Sequence, residues 1–143
     1  MKKISIFILI AMLSLTFYFC DKDNSINGLK IPGGAYAYTA YDSTGVKIIE
    51  GWIKIVFDDS INISGEWELD KIGHPQNIGP QVGSGTLRGS YDKGKIVIGL
   101  NPGYMDNNVI LTGEWDIRKI EGDWMYVGFP GIINEGTFKA EKR

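Results

Sequence analysis

The chain has 143 residues, with Lys plus Arg at 15, Asp plus Glu at 17 and a formal net charge of −2. That length suits one domain, and the lack of any basic run argues against a nucleic-acid partner. One cysteine excludes an intrachain disulfide, and a chain of this size buries roughly two-thirds of its surface without one.

Residues 1–20 have the layout of a targeting segment. Lys2 and Lys3 give a short positive start, and residues 4–19 form an apolar run broken by Ser5, Ser14 and Thr16. The run is short for a membrane span of about 20 residues and suits a secretory core. Cys20 closes it and is followed at once by Asp21-Lys22-Asp23-Asn24. In this layout the segment resembles a bacterial lipoprotein signal peptide. The resemblance implies a lipid on Cys20, a mature chain beginning there, and anchorage in the cell envelope. Members of that class carry a small residue before the cysteine, whereas Phe19 stands here, after Tyr18. An uncleaved anchor and an ordinary secretory signal therefore stay open. The acidic residues after Cys20 also resemble the surface-export signals of Bacteroidota-type lipoproteins, which implies the outer membrane. The expected division is a signal at 1–19, a lipidated cysteine and flexible tether at 20–34, and one folded domain at 35–143.

The domain reads as strands at even spacing, predicted at 36–41, 46–57, 61–69, 85–91, 95–100, 109–117, 123–128 and 135–142. Two of them nearly repeat each other. Ile63-Ser64-Gly65-Glu66-Trp67-Glu68-Leu69 matches Leu111-Thr112-Gly113-Glu114-Trp115-Asp116-Ile117 in residue class at every position. Apolar and polar residues alternate in both, which is the period of a strand with one buried face. A glycine recurs on the apolar face two residues before a large side chain: Gly51 and Ile53, Gly65 and Trp67, Gly85 and Leu87, Gly113 and Trp115, Gly122 and Trp124, Gly136 and Phe138. Glycine weakens a strand, so its repetition on one face marks a geometric need. Strongly coiled sheets have that need. Short turns, such as Asp92-Lys93-Gly94, imply antiparallel hairpins throughout. The expected fold is all-β: an antiparallel up-and-down meander closing into an eight-stranded barrel.

Strand number, size and the Gly-x-Trp strands at Gly65/Trp67, Gly113/Trp115 and Gly122/Trp124 make this resemble the calycin-like barrels of the lipocalin and avidin group. The resemblance covers residues 36–142 and implies architecture only. Lipocalins place their Gly-x-Trp on the first strand, and the accompanying motifs are absent here. A membrane-spanning barrel is the competing architecture. It is disfavoured by short strands and by glycine on the apolar face.

The inward aromatic residues are Tyr36, Phe57, Trp67, Tyr91, Trp115, Trp124 and Phe138. They could line a pocket for an apolar small molecule or simply fill the core. The longest connection, 70–83, holds His74, Gln76 and Asn77 and could act as a lid or binding loop. His74 is the only histidine and has no second His or Cys nearby, so no metal is expected. Asp106-Asn107-Asn108 lacks the ligand series of a calcium loop and suits turn chemistry. Glu66 and Glu114 alternate outward. No nucleophile–base constellation is visible, so no enzyme activity and no cofactor are expected. Two functions stand: a lipid-anchored, non-enzymatic envelope protein binding an apolar ligand inside its barrel, or a filled barrel whose loops contact envelope proteins or glycans.

Overall fold

A computed structural model describes residues 33–116 and 118–143; Cys20, the expected lipidation site, and the expected signal and tether up to residue 32 lie outside the described residues, while Gly34, expected to end the tether, belongs to the first strand. Eight strands follow in order: β1 (Gly34–Asp42), β2 (Lys47–Phe57), β3 (Asn62–Lys71), β4 (Gly83–Asp92), β5 (Lys95–Gly99), β6 (Asn107–Trp115), β7 (Lys119–Gly128) and β8 (Gly131–Lys142). Each pairs antiparallel with its neighbours in sequence, and β8 returns to β1 to close the barrel. Closure leaves no edge strand to template aggregation.

The glycines have a common physical reason. A β-carbon at Gly65 would overlap the Lys54 carbonyl of β2, and one at Gly122 would overlap the Thr112 carbonyl of β6. Gly51, Gly89, Gly113 and Gly136 meet neighbouring strand carbonyls in the same way. Only a residue without a side chain lets adjacent strands coil this closely.

Inward residues form one core, including Ile53, Ile55, Leu69, Ile98, Leu111 and Ile120, with Trp124 at 0% exposure. Every strand finds both partners within residues 34–142, so this stretch has the pairing and the core of an independent domain. The outer wall is polar in mid-strand. Lys54 of β2 lies opposite Glu66 of β3, Glu121 of β7 opposite Lys139 of β8, and Lys54, Glu66 and Lys139 are exposed. Charges on that face oppose contact with hydrocarbon, where a lysine costs about 2–4 kcal/mol at mid-depth and a carboxylate less.

The strand set agrees with expectation, and several boundaries move. The predicted turn 119–122 is strand: β7 begins at Lys119, because Asp116 makes the turn instead. Its carboxylate accepts from the Arg118 and Lys119 N–H groups at 2.7 and 2.9 Å. Ile61 and Val46 fall outside β3 and β2 and are exposed at 56% and 59%. β8 starts four residues early at Gly131, across from Gly128. Two bulges break the alternation. Ile48 is the extra residue of β2, so both it and Ile49 are buried, and Ile133 is the extra residue of β8.

The meander sorts the connections between two ends. One end, called here the terminal end, carries the β2–β3, β4–β5 and β6–β7 turns and both chain ends of the barrel. The other, the loop end, carries the β1–β2 turn, the long 72–82 connection, the 100–106 connection and the β7–β8 tip.

Candidate functional site

The seven inward aromatic side chains are placed in the core by strand alternation, in two groups. Around the terminal end, Trp115 stacks on Phe57 with centroids 5.3 Å apart and meets Tyr36 and Tyr91 edge-on, both at 5.8 Å. Towards the loop end, Phe138 stacks on Tyr38 at 5.7 Å, and Trp124 lies against Gly136. Trp67 lies over Gly85 of β4, the glycine leaving room for its ring.

The three Gly-x-Trp indoles bond inside the protein. Trp67 Nε1 donates to the Leu100 carbonyl at 2.8 Å and the Thr86 carbonyl at 3.1 Å. Trp124 Nε1 donates to the Tyr41 carbonyl at 2.8 Å, and Trp115 Nε1 to the Tyr36 hydroxyl at 3.2 Å. Each tryptophan thus ties its strand to a part of the chain distant in sequence through a buried or partly buried polar contact. Trp67, Trp115 and Trp124 are exposed by 5%, 3% and 0%, and Tyr36 and Phe138 by at most 1%. Phe57 and Tyr91 are only partly buried, at the rim.

Tyr38 escaped notice in the sequence, although its position in Tyr36-Ala37-Tyr38 alternates inward like the others. It is 1% exposed, and its hydroxyl has no hydrogen-bond partner among the described residues. Burial pushes that hydroxyl far above the usual phenol range, so it stays neutral.

The 72–82 connection folds across the loop end. Ile78 and Gln81 are buried, and Gln81 Nε2 donates to the Ile78 carbonyl at 2.8 Å. Gly79, at φ 66°, lies on the ring of Tyr126, and Asn134 Nδ2 donates to the Gln76 carbonyl at 3.2 Å. His74, Gln76 and Asn77 are all exposed, on the outer side of this connection. Their side chains do not converge on the aromatic core. In the 100–106 connection, Asn108 Oδ1 accepts from the Asn101 N–H and Asn101 Nδ2 donates to the Asn107 carbonyl, both at 2.8 Å. These are local turn contacts.

Two open depressions adjoin at the terminal end. One, of about 320 Å³, is lined by Lys93, Lys95, Glu114, Trp115, Asp116 and Lys119 among others; the second, of about 420 Å³, by Asp116, Arg118, Lys119, Glu141 and Lys142. Their charges are mixed in sign, and Lys119 Nζ is bound to Glu121 at 2.7 Å. Backbone N–H donors hold Asp116 below the usual carboxylate range, so it stays charged, unlike an acid catalyst tuned upward. Asp42 and Asp59 are lowered in the same way, Asp42 chiefly by the Thr44 hydroxyl and Asp59 by the Asn62 N–H. Among the described residues no three His, Cys, Asp or Glu side chains gather as a metal site.

Comparison with models of protein families, with curated proteins and with solved structures finds no match.

Proposed function

We propose that this is a non-enzymatic envelope lipoprotein, held to a membrane by lipid on Cys20, whose filled barrel acts as an interaction module through its loops. The carrying observation is the interior itself. The seven inward aromatic residues pack on one another, on Tyr38 and on glycine, and the three indoles spend their N–H groups on the protein's own oxygens. A ligand entering there must displace core side chains. Strand number, meander order and the Gly-x-Trp strands support a calycin-like assignment within this reading, with the ligand site of such barrels closed up.

A second reading, an apolar ligand inside the barrel, has one observation on its side. The Tyr38 hydroxyl is a buried polar atom without a partner among the described residues, and a ligand oxygen would satisfy it.

Native mass spectrometry of residues 28–143, purified gently from the native envelope, separates the two. A clean apo mass is expected. A small molecule that leaves on activation, with a shift of tryptophan emission when it is removed, overturns the filled-barrel reading. The anchor is tested separately. Cys20→Ser should release the full chain from membranes or block its processing; unchanged retention and mass would sink the lipoprotein assignment.

A further inference from the structure

The charges of this barrel are unevenly placed. Residues 72–87 and 124–134 contain no charged side chain, and residues 96–113 contain only Asp106. These stretches supply the 72–82, 100–106 and β7–β8 connections of the loop end; its charges, Asp42, Lys47, Glu50, Asp70 and Lys71, sit to one side, at the β1–β2 hairpin and the end of β3. The terminal end gathers Asp58, Asp59, Asp92, Lys93, Lys95, Asp116, Arg118, Lys119, Glu141 and Lys142 into its turns and strand ends.

The three charge-poor connections hold most of the large apolar side chains left in water. Phe129 and Met105 are each 93% exposed, Tyr104 60%, Ile132 58%, Val82 43% and Ile133 39%. They are neighbours in the fold. Asn107, two residues after Met105, pairs with Gly128, which precedes Phe129. Ile133 packs against Gly128, and the 72–82 connection leans on Tyr126 and Asn134. A patch of this kind marks an interaction site. Phenylalanine, tyrosine and methionine with few charges is the composition of an interface core.

We infer that the loop end is the contact surface for a second copy of this chain, meeting it end to end about a two-fold axis. This deepens the interaction-module reading and rests on it. A two-fold contact sets the patch against a copy of itself, so a patch of one net sign would repel its copy; here Asp106 is the one charge in the three apolar stretches. Covering these side chains removes on the order of 600 Å² from each copy, given the 150–250 Å² a large aromatic offers. That is close to the roughly 800 Å² per partner of a stable interface. Closure of the barrel leaves no free strand edge for an alternative self-contact. A lipid surface fits less well. The chain is net acidic; no lysine or arginine lies within 72–87, 96–113 or 120–138, and Lys47 and Lys71 at the neighbouring strand ends stand beside Glu50 and Asp70, which offset them towards anionic headgroups.

Sedimentation equilibrium of residues 28–143 tests this, with Met105→Ser/Phe129→Ser as the probe. Both side chains are almost wholly in water, so their loss leaves the monomer's fold intact, which circular dichroism checks. Val97→Ser, on the outer wall of β5, is the control. The expected result is a concentration-dependent dimer whose dissociation constant rises at least tenfold in the double variant and stays put in the control. A monomer at every concentration overturns the inference, and so does a dimer indifferent to the double variant. A monomer that floats with phosphatidylethanolamine vesicles also overturns it and assigns the patch to lipid. A ligand found in the barrel would instead overturn the filled-barrel reading, without touching this measurement.

Discussion

Tyr38 and Gly65 carry the residue-scale argument, because each is fixed by one unusual contact. The Tyr38 hydroxyl is buried without a partner among the described residues while its ring stacks on Phe138. Leaving such a group unsatisfied costs about 1–3 kcal/mol. Tyr38→Phe keeps the stack and removes the cost, so urea unfolding should show a gain on the order of 1 kcal/mol; a loss would mean the hydroxyl is bonded in solution. At Gly65 a methyl group would meet the Lys54 carbonyl, which the β2–β3 ladder holds in place. Gly65→Ala should therefore destabilise by about 2–3 kcal/mol, through overpacking rather than backbone strain. Gly73 is the contrast. Its φ is 70° and nothing lies near a β-carbon there, so Gly73→Ala tests conformational strain alone and should cost on the order of 1 kcal/mol.

At the scale of elements, three hairpins are set by one device. An aspartate begins the turn and its carboxylate accepts N–H groups two to four residues on: Asp42 from Thr44 and Val46, Asp59 from Ile61 and Asn62, Asp116 from Arg118 and Lys119. These bonds favour the charged form, so all three folded values lie below the ordinary carboxylate range. The sign follows. A depressed folded value means the unfolded chain binds protons first, so the stabilisation is full above the unfolded value and fades as pH falls through the folded one. Thermal melts between pH 6 and pH 2 should show stability dropping below about pH 4. The variant Asp42→Asn/Asp59→Asn/Asp116→Asn should flatten that drop; an unchanged slope would assign acid sensitivity to other groups. The β4–β5 hairpin uses backbone instead, with Lys93 and Gly94 at φ 47° and 88°, the two positive values a primed two-residue turn requires.

For the whole molecule, closure of β8 on β1 is the decisive contact. Tyr36 pairs with Lys142, and the Arg143 N–H donates to the Ala35 carbonyl at 3.0 Å, so the two ends of the barrel's chain lie side by side. A permutant that joins residue 143 to residue 34 by a short Gly/Ser linker and opens at the exposed 58–61 turn should keep the native near-ultraviolet dichroism of its tryptophans. Loss of that signal would mean the β2–β3 turn is needed to form the barrel. The same closure places residues 34 and 143 at the end of the barrel opposite the apolar connections.

The eight-stranded meander was legible in the chain because strand alternation is local: Ile63, Gly65, Trp67 and Leu69 sort inward by parity alone. The bend-forming glycines were legible for the same reason, as was the inward set of Trp67, Trp115 and Trp124. Boundaries were less so. Lys119 joins β7 because the Asp116 carboxylate completes the turn earlier, and that depends on side-chain hydrogen bonds that parity does not encode. What the three indoles bond to depended on pairing residues as far apart as Trp124 and Tyr41. Whether the interior is walls or filling depends likewise on three dimensions. The same inward aromatics suit both, and volume depends on how far the strands coil. The apolar loop end is the clearest case. Met105, Phe129 and Ile132 are scattered in sequence, and only the up-and-down order of the strands brings their connections to one end.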